Sequence, residues 1–395
     1  MKKVAIIAST YGGSSIALAK SWIDKGYSVD YIKLETWRQD FTFEACEGRF
    51  NIDFLGLKEV GRENELSIFK YIPSVNFRLF ALSSPRPYKS VPVLRYIIRT
   101  IRNVIIAKAA IALNQEKYDS INVIGRFDSN ELLPLIKKLS SKVILTLHEP
   151  SDKKNDVHIY NETRLMKYAF DKQLDIVVHS DSSYNDILNY NRVKKEKVHN
   201  IPFGAFGLYS FVTDATVPNL PDRYLLFFGY VRPYKGLKVL YEAVRSCPEL
   251  YDELKILVAG MGDDPILEKI KEDNHFVCIN RFVTNQELVS IIKKSYAVVC
   301  SYLNMSQSGI PQTAIVFKKP LIASDLQSFR DVIADGIDGY LFETGNSGDF
   351  NEKVRSLQDK ETYERMIGSL SNYNDLHPSL SWENIANQYI KAKLI

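Results

Sequence analysis

Two successive series of short apolar runs, with amphipathic stretches between several of them, constrain this chain more than any other feature. The first series is Val4–Ser9, Tyr27–Leu34, Ser120–Gly125, Lys142–Glu149, Asp175–Ser180 and Lys197–Phe203. The second is Tyr224–Val231, Leu254–Gly260, His275–Phe282, Tyr296–Tyr302, Pro320–Ser324 and Gly339–Glu343. Stretches such as "SIALAKSWIDKG", "ELLPLIKKLSS", "GLKVLYEAVRSC" and "NQELVSIIKKS" lie between them and read as helices. Strands that alternate with helices give parallel sheets with crossover helices, because a parallel pair cannot be closed by a tight turn. Between the two series, Gly204–Arg223 is turn-rich and without clear period, and reads as a linker.

With 395 residues the chain exceeds one ordinary core. We therefore expect an α/β protein of two doubly wound, Rossmann-like domains, 1–206 and 207–378. A terminal segment, 379–395 ("LSWENIANQYIKAKLI" and the residues before it), would form an amphipathic helix returning to the first domain with Trp382 as anchor. Ligands of such sheets bind beyond the carboxyl ends of the strands, so a deep site between the domains is expected.

The charge balance, 51 basic against 47 acidic residues for a net +4, is too even for a nucleic-acid partner. It is compatible with phosphate-bearing substrates. Cys46, Cys247, Cys278 and Cys300 are scattered, with no Cys-x-x-Cys pair, and predict a reducing compartment. The first apolar run is too short for a signal-peptide core, and no stretch reaches the ~20 residues of a membrane span. A cytoplasmic protein is expected, at the inner membrane face if one segment touches lipid. That segment is Val91–Gln115, where Arg95, Arg99 and Arg102 share one helical face and Ile97, Ile98, Ile101, Val104 and Ile105 supply apolar surface. An ordinary solvated stripe and a contact with anionic headgroups are both open readings.

The most specific stretch for chemistry is "LLFFGYVRPYKGLKVLYEAV", Leu225–Val244. An apolar strand runs into Gly229, a short loop carries Arg232 and Lys235, and Gly236 opens a helix. Two fixed cations beside a glycine and a helix start suit a phosphate. A second strand-to-helix junction, "SYLNMSQSGIPQTAIVF", places Ser at the cap and Pro311 in the first turn, with the early amides of that helix facing an anion.

These two stretches resemble the donor loops of retaining glycosyltransferases of family four, which share the GT-B fold. The resemblance extends to "YGGSS" (Tyr11–Ser15), "LTLHEP" (Leu145–Pro150), "KVHNIPFG" (Lys197–Gly204) and "VAGMGDD" (Val258–Asp264). It implies transfer of a sugar from a nucleotide-diphosphate sugar to a glycan or lipid-linked acceptor, with retention, as in polysaccharide and O-antigen enzymes. Arg232 and Lys235 would stabilise the leaving diphosphate, with Gly229, Ser308, Gly309, Ile310 and Thr313 around the donor. His148 would line the sugar pocket, and domain closure would exclude water. Gly12, Gly13 and Arg126 would lie at the acceptor or phosphate. Family members commonly carry two loop glutamates; aligned on "KKPLIAS", those places hold Met305 and Thr313. No cofactor or metal is implied, since no Asp-x-Asp stands at a strand end and no His/Cys/Asp cluster has ligand spacing. A catalytically silent glycan-binding or scaffold subunit, and a nucleotide-sugar epimerase of the same fold, remain as alternatives.

Overall fold

The computed structural model describes the chain except residues 10–11, 37–49, 51, 86–91, 149–151, 155–156, 160–161 and 306, and of 36, 152–154 and 157–159 it describes the backbone alone. Cys46, Tyr11, Glu149 and Ser306 lie outside the described residues. The chain divides into two compact units, Met1–Gly204 with Trp382–Ile395, and Ala205–Ser381. Beside the anticipated boundaries of 206 and 378, these limits fall two and three residues away.

In the first unit the strands are β1 (Lys3–Ala8), β2 (Ser28–Thr36), β3 (Gly56–Val60), β4 (Phe77–Ser84), β5 (Ser120–Gly125) and β6 (Lys142–Leu147). A small antiparallel pair, β7 (Asp152–Lys154) and β8 (Val157–Ile159), precedes β9 (Asp175–Val178) and β10 (Val198–Asn200). The main sheet runs β10-β9-β6-β5-β1-β2-β4-β3, parallel except at β3. β5 throughout and β1 from Val4 onward are buried, as apolar strands covered on both faces must be. Strands β3 and β4 are absent from the anticipated series. Arg78 interrupts β4, yet it bonds the fully buried Asp30 of β2 through two hydrogen bonds of 2.8 and 2.6 Å, and Tyr118 donates to the same carboxylate at 2.6 Å. The terminal helix Trp382–Lys391 belongs to this unit and seats Tyr389 edge-on against Trp22 at 5.4 Å.

The helix Gly12–Asp24 starts at its two glycines, both buried. The long helix Pro92–Gln115 packs Ile105, Ile106, Ala109, Ala110 and Leu113 inward.

In the second unit β11 (Tyr224–Phe228), β12 (Lys255–Ala259), β13 (Phe276–Ile279), β14 (Ala297–Cys300), β15 (Leu321–Ser324) and β16 (Gly339–Phe342) form a parallel sheet ordered β13-β12-β11-β14-β15-β16. All the anticipated strands of this half are present. The stretch read as a linker is instead packed on this unit: Leu208, Val212 and Val217 are buried, and the Ala215 amide donates to Ser290 Oγ at 2.9 Å. Its lack of period reflects single anchor residues on an irregular backbone.

Trp22, Trp37 and Trp382 are the chain's tryptophans, and all fall in the first unit, so indole fluorescence reads that unit alone. Tyr389→Ala removes a fully buried ring and should lower the stability reported by indole fluorescence in urea by about 3–5 kcal/mol. Any transition of the second unit resolved by circular dichroism should stay in place.

Candidate active site

The strand order of the second unit reverses at β11, whose neighbours are β12 on one side and β14 on the other. A crevice opens beyond the carboxyl ends of strands at such a point. Both sequence stretches singled out above emerge there, one from β11 and the other from β14. After β11 the backbone turns through Gly229 at φ +94°, crosses Arg232 and forms a short 3-10 turn, Pro233–Lys235. Gly236, at φ +68°, then opens the helix Leu237–Ser246.

Gly236 admits no other residue, because a Cβ there would stand 1.9 Å from the Ser301 carbonyl oxygen. That approach lets β14's end join the loop: Ser301 Oγ lies 3.1 Å from the carbonyl oxygens of both Lys235 and Gly236, and the Leu303 amide donates to Tyr234 O at 2.7 Å. The loop from β11 and the loop from β14 are thereby one rigid structure.

Lys235 sits at their junction and is only 7% exposed. Its ammonium is 3.0 Å from where a Gly229 Cβ would be, and the Ile310 side chain is 3.5 Å from that same point. The Tyr302 ring lies 5.3 Å away. Among the described residues no carboxylate pairs with this ammonium. Burial holds its pKa down at about 8, and burial pushes the neighbouring Cys300 thiol up to about 12. An ammonium held out of water without a counter-ion is a poised anion site, since an arriving anion gains the attraction that solvent no longer screens. Arg232 is more exposed. Its guanidinium lies 4.5 Å from the Tyr230 ring centre and pairs with Asp263 at 3.1 Å. Both partners are substantially exposed, so this pair is weak and a more highly charged anion can displace Asp263.

The helix after β14 spans Ile310–Val316. Gly309, not a serine, occupies its cap, where a Cβ would press against the Phe206 ring at 2.8 Å. Ser308 Oγ accepts from the Ile310 amide at 3.2 Å, and Tyr302 borders Ser308. Thr313 is buried and donates to Gly309 O at 3.0 Å, so it offers a ligand no spare hydroxyl proton. Met305 packs on the apolar core. Ser301, Tyr302, Asp263 and Phe206 thus shape the site without having been singled out from sequence; only proximity across the fold assigns them.

The remaining candidates belong to the first unit. His148 follows β6, and its ring lies 4.4 Å from that of His179 and 3.4 Å from Ser14 Oγ. Burial drives both imidazoles down, His179 to about 4 and His148 well below its usual value with the His179 charge adding to the effect, so both are neutral at pH 7. Around them Ser14, Ser15, Phe203, Trp382 and Tyr389 line a cavity of about 10 Å³, no larger than one water. Arg126, after β5, pairs with Asp128 at 3.3 Å, and its amide is bonded by Ser129 Oγ at 2.9 Å in a capped loop. Among the described residues no His/Cys/Asp/Glu cluster could hold a metal ion, and no helix is long and apolar enough to cross a membrane.

Two parallel-sheet units of this kind define the GT-B class of glycosyltransferases. The second unit matches the family "Glycosyl transferases group 1" over residues 213–369. An uncharacterized glycosyltransferase of Methanocaldococcus jannaschii is 25% identical over 63% of this chain and 67% of its own. The phosphatidyl-myo-inositol mannosyltransferase of Mycobacterium leprae is 30% identical over 36% of this chain and 39% of its own length. Among solved structures, Anabaena HepE in complex with UDP and glucose aligns over 100% of both chains with a TM-score of 0.62 and 12% identity, a likeness of fold.

The depressed Lys235 pKa carries a stability consequence. Below pH 8 the ammonium is charged in folded and unfolded chains alike, and the full burial penalty is present; between pH 8 and 10.5 the folded chain holds fewer protons, so the penalty fades as pH rises. Lys235→Met should therefore stabilise the second unit at pH 7, by on the order of 3 kcal/mol. The gain should shrink toward zero by about pH 10.5 in chemical denaturation read by circular dichroism.

Proposed function

We propose that this chain transfers a sugar from a nucleoside-diphosphate sugar to a glycan or lipid-linked acceptor, with retention of anomeric configuration, in cell-surface polysaccharide synthesis. The observation that carries the reading is the buried, uncompensated Lys235 ammonium between Gly229 and Ile310, with Arg232 on the same short loop. As the bond from sugar to phosphate breaks, negative charge grows on the leaving diphosphate. Lys235 meets that charge without reorganising, because Ser301 and Gly236 already fix its backbone. Arg232 exchanges the exposed Asp263 for a phosphate oxygen. The acceptor hydroxyl then bonds to the anomeric carbon on the face the diphosphate leaves, and its proton passes to the departing phosphate oxygen.

The relatives fit this reading. One is named as a mannosyltransferase acting on phosphatidyl-myo-inositol, another as a GDP-mannose:glycolipid mannosyltransferase, and the HepE structure holds UDP with glucose. A lipid-linked acceptor would place the reaction at the cytoplasmic face of a membrane. Side-chain cations provide the neutralisation, so we propose that no divalent metal takes part.

Isotope-labelled donors screened against glycan and glycolipid acceptors test the reading, with transfer expected and isomerisation or binding without turnover opposing it. Lys235→Ala should lower kcat about 100- to 1,000-fold. Chelation with EDTA should leave the rate unchanged. Because only charged Lys235 attracts the diphosphate, its Kd should rise about tenfold for the preferred nucleoside diphosphate between pH 7.5 and 9, and calorimetry should show Lys235→Met losing that dependence.

A further inference from the structure

The helix Pro92–Gln115 has two apolar sides, and the protein core uses only one. Ile105, Ile106, Ala109, Ala110 and Leu113 face inward. Val93, Leu94, Ile97, Ile101, Val104 and Ile111 are all exposed, from 39% at Leu94 to 70% at Val93. At 100° per residue these six fall in one sector about 100° wide, opposite the buried stripe. The band they form runs about 27 Å along the helix, far beyond the scattered apolar residues of an ordinary surface.

We propose that this outward stripe docks the chain on an anionic phospholipid bilayer, with the helix lying in the plane of the interface. The charge of the helix selects that occupant. Its 24 residues include Arg95, Arg99, Arg102 and Lys108 and not one Asp or Glu, so a second copy of the same helix would meet it with like charge. Lys108 lies within the stripe and is exposed, and Tyr96 is exposed beside it. A long lysine over an apolar band reaches the headgroups while its stem stays in contact with acyl chains.

This assignment differs from the arginine face anticipated from spacing. Arg95, Arg99 and Arg102 lie on the side away from the exposed stripe, and Arg102 is half-buried and donates to Glu131 O at 3.4 Å, tying the helix to its own unit. The arginines therefore sense the bilayer's negative potential across the helix, within roughly one Debye length, while the isoleucines make the contact.

The full chain is mixed with vesicles of phosphatidylcholine containing about a third phosphatidylglycerol and sedimented, with pure phosphatidylcholine as control. The wild type should partition to the anionic vesicles and weakly to the neutral ones. Ile97→Glu with Ile101→Glu should lower partitioning at least tenfold with little change in the thermal melt, since both residues are exposed and outside the buried stripe. Arg99→Gln should cost less than the double variant, and the loss should vanish at high salt. Unchanged binding by the double variant would overturn the proposal. So would a wild type that ignores anionic vesicles but sediments as a dimer that the double variant dissociates, since the stripe would then join two copies. Neither donor nor acceptor enters this assay, so its failure leaves the transfer reading standing.

Discussion

The candidate active site depends on one close approach, the Ser301 carbonyl against Gly236. Without a side chain at 236 the end of β14 comes near enough for the Ser301 hydroxyl to reach the Lys235 and Gly236 carbonyls, and the two loops at the sheet's reversal point become a single body. Any Cβ there would force them apart and release Lys235 toward water. The ammonium would then regain its hydration, and with it would go the unscreened attraction that makes the position an anion site.

Lys235 illustrates a conflict between stability and binding. A buried cation without a partner destabilises the protein that carries it, and it is tolerated because β11, β14 and the helix from Leu237 hold it in place through contacts of their own. Arg232 is arranged differently, exposed and paired with Asp263. One cation is buried and fixed by the loop around it, the other exposed and held only by a surface ion pair. The apolar stripe on Pro92–Gln115 is the same kind of conflict elsewhere: surface that water penalises, left exposed on the outer face of a helix.

Much of the fold was legible in the sequence because buried parallel strands are continuous apolar runs whatever surrounds them. All six strands of the second unit were read in this way. β4 was not, because Arg78, its second residue, puts a charge at the start of the run, and only Asp30 on the neighbouring strand neutralises it. The stretch after Gly204 reads as linker for the opposite reason: Phe206, Leu208, Val212 and Val217 follow no period, and their burial is set by what they pack on.

Local pattern alone determined the alternating α/β architecture, the Gly229–Gly236 loop with its two cations and the helix with a basic, acid-free composition. Tertiary structure decided which of these groups lose water. Burial depends on neighbours far along the chain, so no spacing rule could separate the sequestered Lys235 from the exposed Arg232, turn Thr313 back onto Gly309, or leave Ile97 and Ile101 outward while Ile105 and Ala109 face the core.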